Sequence, residues 1–236
     1  MEALYLLPWM VRDSMYAQTC SMPCEACDLP ILIGYFGLMR CINQDDVSER
    51  NHLVQQMRAI YSGTSRVIVW LGISRPGDEI AIDLLLEWDR LHHIDTTIAV
   101  SCLLSSDSEW KKLLGLFELS YWTRVWIVQE FVLAKEIKII FHPHQIAGGR
   151  LRGFFHWLKD LDSNLLSYAA RDVAASIAAR LSGQRDLQHH GTCSLSSLIR
   201  DFKHSSSTVP HDKVYGLLGL GDGFSIADFP VDYPIN

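Results

Sequence analysis

Among the side chains able to do chemistry, the carboxylate of Glu130 has the densest setting, the run Tyr121-Trp122-Thr123-Arg124-Val125-Trp126-Ile127-Val128-Gln129-Glu130. Three roles are open to it: action on a ligand, an ion pair with Arg124 or Lys135, or a cap on a nearby backbone amide. Arg124 can grip a phosphate or carboxylate through its planar fork, or form a salt bridge to Glu118 or Glu130. Cys41 becomes a nucleophile if an imidazole such as His52 lowers its pKa; otherwise it is a small buried thiol at a strand end. Asn43 and Gln44 either close the turn they occupy or project from a strand end into a ligand crevice. Cys20, Cys24 and Cys27 offer three zinc legs without a fourth at a suitable spacing, and His92-His93 and His189-His190 lack a third partner, so no metal site is expected. Gly216, Gly219, Gly221 and Gly223 do not sit between a strand and a helix in the dinucleotide-binding manner.

These groups need elements to hold them. Asp46 with Glu49 three positions on has the form of a capping box. Leu53, Met57 and Ile60, with Val54 and Tyr61 beside them, then give a helix one apolar face, and Gly63 suits a left-handed stop. The unbroken apolar run Val67 to Leu71 predicts a strand covered on both faces, as in a parallel sheet flanked by helices. A helix opened by Asp78 carries Ile80, Leu84, Leu85, Trp88 and Leu91 and ends near His92-His93; another turns Trp110, Leu113, Leu114 and Phe117 inward. The segment Tyr121 to Ala134 reads as helical, which places Trp122 and Trp126 on one face in the core. Ile137 to Phe141 is a second strand, stopped by Pro143, and Ile146 to Gly149 is a turn. Further helices are expected around Phe154 to Leu161, over Leu165 to Leu181, and at Leu195, Leu198, Ile199 and Phe202. Ser182 to Ser194 is a polar loop. Asp212 is the N-cap of a short helix ending near Leu220.

The chain has 236 residues, 48% hydrophobic and 20% charged, with a net charge of -6. That length supports one large or two small domains. No basic run marks a nucleic-acid backbone partner. No apolar stretch is long enough to cross a membrane, and the N-terminus lacks the pattern of a secretory signal, so a cytoplasmic location is expected. Six unevenly spread cysteines do not make a disulfide framework. The fold class expected is α/β, helix-dominated, with a small mostly parallel sheet.

Three blocks resemble the fungal heterokaryon-incompatibility (HET) domain. Cys41-Ile42-Asn43-Gln44, followed by a helix and Val69-Trp70-Leu71-Gly72, resembles its first block. Arg124, Trp126, Gln129 and Glu130 match its Arg-x-Trp-x-x-Gln-Glu segment, and Pro210 to Leu220, with Asp212, Lys213 and Tyr215, matches its Pro-Arg-Asp-Lys-Val-Tyr segment. Leu38 and Met39 stand where the family has Asp-Ala, and its Tyr-x-Ala-Leu-Ser-Tyr-x-Trp-Gly opening is absent. Residues 1–40 are therefore expected to be an atypical, poorly ordered segment, and 41–236 a partial HET domain behind a replaced or mis-spliced start.

The resemblance implies a distantly TIR-like fold and a cytoplasmic effector of non-self recognition that triggers programmed cell death. It implies self-association, or a receptor-type incompatibility partner. It leaves two alternatives: a TIR-like NAD hydrolase in which Glu130 holds the ribose hydroxyls and stabilises an oxocarbenium-like state, with NAD as substrate and no other cofactor, or an inactive remnant.

Overall fold

The computed structural model describes residues 46–91, 107–189, 193–221 and 231–233. Helix α1 spans Val47–Gly63, and its N-cap is Asp46, whose Oδ1 accepts from the Glu49 amide at 3.0 Å. Such a cap contributes about 1 kcal/mol. The helix does not stop in the left-handed conformation expected of Gly63. Gly63 stays helical, and Thr64 takes over in extended backbone, with its amide bonded to the Tyr61 carbonyl and its hydroxyl donating to the Ile60 carbonyl at 2.7 Å. A hydroxyl folded back onto the last turn satisfies carbonyls that a glycine stop would have served.

Strand β1, Arg66–Ile73, follows directly. It pairs in parallel with β2, Glu136–His142, which pairs antiparallel with β3, His144–Ala147, giving the order β1-β2-β3. Trp70 lies opposite Ile140 and Gly72 opposite Phe141, so Leu71 is an extra residue in β1. The bulge needs backbone at φ +104° at Gly72, which glycine adopts without a Cβ penalty. Pro143 ends β2 but does not end the sheet: it sits in the hairpin to β3, which absorbs Ile146 and Ala147 from the expected turn. The described residues thus carry the helix-dominated α/β architecture with one parallel and one antiparallel strand pair.

A long crossover links the parallel strands, as that pairing demands. It contains α2 (Glu79–Leu91), α3 (Asp107–Phe117), α4 (Ser120–Thr123) and α5 (Ile127–Leu133). Segment 121–134 is two short helices rather than one. Between them Arg124 is extended and bridges to Ser206, with the Val125 amide donating to the Ser206 carbonyl at 2.9 Å. Trp122 and Trp126 are both buried, as expected, although no single helix face aligns them.

After β3 come α6 (Gly148–Asp160), a 3-10 turn at Ser163–Leu165, α7 (Tyr168–Ala174) and α8 (Ile177–His189). The Ala-rich stretch is thus broken at Ala175-Ser176, and α8 runs through most of the expected polar loop. Its polarity misled because Ser182 and Gln184 face inward on that helix and are buried. Helices α9 (Leu195–Phe202) and α10 (Asp212–Leu218) complete the described chain. Ile80 and Ile199, which helped to mark their helices in the sequence, are exposed, while Ala81, Ile82 and Leu116 take inward positions.

The core is built on aromatic rings at edge-to-face and stacked distances. Phe154 of α6 meets Trp88 of α2 at 5.6 Å and Trp110 of α3 at 5.9 Å, and Phe117 meets Phe155 at 5.3 Å. Trp122 packs on Phe117 and Phe131, and its indole N–H donates to the Leu116 carbonyl at 3.0 Å. This cluster fixes α4 and α5, and so fixes the direction in which Gln129 and Glu130 point.

Candidate functional site

Helix α5 turns Gln129 and Glu130 into the interior, where each is only 1% exposed. Glu130 accepts from the hydroxyl of Tyr61, on α1, at 3.1 Å and from that of Tyr121, on α4, at 3.5 Å. Neither expected ion pair forms: no basic side chain among the described residues comes within ion-pair distance of the carboxylate. The tyrosines take the place of the cations: the backbone of Arg124 bridges to Ser206, and its charge reaches Glu130 only as a field.

Burial pushes the Glu130 carboxyl up to about 7, against the lowering effects of Arg124 and the two hydroxyls. Burial, followed by the neighbouring carboxylate, raises both tyrosines well above their ordinary range. The three groups form a buried cluster in which the environment favours the protonated form of each. As placed, Glu130 has no solvent face on which a substrate could sit.

The same helix carries a second link. Gln129 Nε2 donates to the backbone carbonyl of Tyr215, on α10, at 3.1 Å. Its Oε1 has no hydrogen-bond partner among the described residues and abuts Gly219, where a Cβ would lie 2.9 Å away. The Gly219 carbonyl accepts from the Arg58 guanidinium of α1. Gly216 is equally constrained, since a Cβ there would meet Val125 at 3.1 Å.

Asp212 is the first residue of α10 and not its cap. His211 holds the cap position without a side-chain bond, and buried Asp212 accepts from the Tyr233 hydroxyl. Tyr233 also touches α1 twice: its amide donates to Asn51 Oδ1 at 3.1 Å, and the Arg50 guanidinium lies 4.2 Å from its ring centre. Lys213 Nζ donates to the carbonyls of Ser205, at 2.5 Å, and Lys203, at 3.1 Å, beyond the end of α9. The Tyr215 hydroxyl bonds the backbone of Asp232. Trp126 packs in the core.

The sequence-derived residues that can be placed therefore converge. Gln129, Glu130, Asp212 and Tyr215 form a polar seam joining α1, α5, α10 and the segment at Tyr233, while Lys213 ties α10 to the chain beyond α9, Arg124 bridges to Ser206 through its backbone and Trp126 lies in the core beside them. Cys41, Asn43, Gln44 and the Cys20 to Cys27 cluster lie outside the described residues, as do His92, His93 and His190. His52 is exposed and bonded to Gln56. No group of three or more His, Cys, Asp or Glu able to hold a metal occurs among the described residues. Sequence reasoning missed the tyrosines as partners. The available signal was that a tyrosine on an apolar helix face needs an acceptor for its buried hydroxyl.

Glu130 does not line the cleft of about 720 Å³ that lies between β2, β3, α6 and α8.

Residues 39–130 match the family model described as Heterokaryon incompatibility protein (HET). Heterokaryon incompatibility protein 6, OR allele, of Neurospora crassa is 25% identical over an alignment of 242 residues that covers 82% of this chain. The chain spans 35% of that relative's length. No solved structure matches the chain.

Proposed function

With a HET segment at residues 39–130, we propose that this chain acts in fungal non-self recognition as a signalling and self-association module, residues 41–236 forming a partial HET domain behind an atypical segment 1–40. The observation that carries this reading is the use made of the signature side chains. Gln129, Glu130, Asp212, Lys213 and Tyr215 are all occupied in holding helices together, by bonds to Tyr215, Tyr61, Tyr233, Ser205 and Asp232. Gln129, Glu130 and Asp212 point inward and Lys213 and Tyr215 bond neighbouring backbone, so the motif preserves a shape, and a shape serves association with a partner. The name of the Neurospora relative, a heterokaryon incompatibility protein, supports the incompatibility setting, and growth arrest with cell death on fusion of unlike hyphae is the outcome proposed within it.

Burial of Glu130 favours this reading over NAD cleavage, because a carboxylate on a ribose must meet its ligand. Two measurements test it together. Expression in a filamentous fungal host should arrest growth and kill hyphal compartments, and the purified chain should self-associate in sedimentation while leaving NAD intact. NAD turnover by the wild type that disappears in Glu130→Ala would replace this reading with the enzymatic one. Healthy hyphae at full expression would identify an inactive remnant.

A further inference from the structure

The cleft between β2, β3, α6 and α8 gathers positive charge in a chain that is acidic overall. Arg66, Lys135, Lys138, Arg150, Arg152 and Arg185 line it, and Glu136 is the acidic residue among its walls. Three of the cations are neutralised locally: Arg66 pairs with Glu136 at 2.7 Å, Arg150 with Asp89 at 2.9 Å and Arg152 with Asp186 at 2.7 Å. Lys135, Lys138 and Arg185 have no carboxylate within ion-pair distance among the described residues.

Arg185 is built into the wall. Its guanidinium donates to the Phe131 carbonyl at 2.7 Å and to the Lys135 carbonyl at 2.9 Å, which ties the rim residue Lys135 to α8. Burial and the nearby charge of Arg152 disfavour its cationic form.

The cleft also receives the first turn of the 13-residue helix α6. Ala147 at its N-cap provides no side-chain bond, and Gly148 and Gly149 face the space. Gly148 is fitted closely to β2, with a Cβ position only 2.6 Å from that of Ile137, whereas nothing lies within 4 Å of the corresponding position at Gly149. The backbone is therefore accessible on the cleft side at the positive end of the helix.

From these features we propose that the cleft binds a multiply phosphorylated small molecule, with Lys135 and Lys138 on its phosphate oxygens and the α6 amides completing the contact. About 720 Å³ accommodates a nucleoside polyphosphate or a compact polyphosphate. One phosphate would leave part of this charge uncompensated; two or more match it. The site is separate from the Glu130 cluster and stands whether or not the association reading holds.

Calorimetric titration of the full chain with inorganic pyrophosphate and with ATP tests the assignment. Saturable one-site binding is expected for at least one of them, weakening as salt is raised. The Lys135→Gln/Lys138→Gln variant should bind about tenfold or more weakly, since charge-assisted bonds to phosphate are lost. Lys159→Gln, at the other end of α6, should change affinity by less than about twofold. Circular dichroism melting of each variant establishes that it is folded. Equal binding of both probes identifies phosphate as the recognised group, and preference for ATP adds a nucleoside contact. Absence of binding to both probes, or equal affinity in the wild type and a folded double variant, overturns the proposal.

Discussion

The side-chain amide of Gln129 donates to the main-chain carbonyl of Tyr215 at 3.1 Å, across 86 residues of chain, and so joins α5 to α10. Its orientation is determined: a flipped amide would set one oxygen against another. Replacing Gln129 by Leu keeps most of the volume but strands the carbonyl. A loss of about 1–3 kcal/mol is expected in urea unfolding. Because the bond spans the fold, the variant should also increase hydrogen exchange in α10 more than in α3.

Glu130 makes stability depend on pH. Its carboxyl is pushed up to about 7 in the folded chain from 4.5, so the folded state binds the proton more tightly than the unfolded state does. The contribution is fully present below the unfolded value and is lost as pH rises through about 7. The difference corresponds to something on the order of 3 kcal/mol. Denaturation between about pH 5 and about pH 8 should show wild type weakening across that window. In Glu130→Gln, which still offers an oxygen to Tyr61 and Tyr121, this part of the slope should vanish.

Tyr233 serves Asp212 with its hydroxyl and Asn51 with its amide, so the hydroxyl can be removed while the backbone link remains. Tyr233→Phe leaves a buried carboxylate without that donor, and a cost of about 1–3 kcal/mol follows. The ring persists in this variant, and so does its contact with Arg50. Asp212→Asn in the same background should recover part of the loss, because it removes the buried charge. A double-mutant cycle in thermal melts reads the coupling directly.

The elements legible in the sequence were those with a strong local signal. Asp46 and the spacing from Leu53 to Tyr61 defined α1, and the continuous Val67 to Leu71 run defined a buried strand. Elements decided by distant partners were not legible. Nothing near Arg124 announces that Ser206 will pull the chain out of helix, and polar residues from Ser182 onward read as loop because their buried surroundings come from other elements. The site divides in the same way. Gln129 and Glu130 were recognisable as a pair, but their partners Tyr215, Tyr61 and Tyr121 depend on how three helices dock, which no spacing encodes. Asp212 had the right composition for a cap, yet Tyr233 drew it into the core.

Two helix-interior glycines should respond oppositely to the same substitution. At Gly153 of α6 a Cβ would lie 2.8 Å from the ring edge of Trp88, which is buried and held between Phe154 and Trp157. Alanine brings about 1 kcal/mol of helix propensity. Forcing a methyl into a packed core costs about 1–3 kcal/mol, so Gly153→Ala should be destabilising on balance. At Gly183 of α8 nothing lies within 4 Å and the residue is exposed, so the propensity term acts alone. Gly183→Ala should therefore raise the melting temperature by a few degrees, on the order of 1 kcal/mol. The pair is diagnostic because propensity is common to both sites. If the ring is the obstacle, Trp88→Phe combined with Gly153→Ala will cost less than the two single losses added together. Strict additivity would place the obstacle elsewhere than at Trp88.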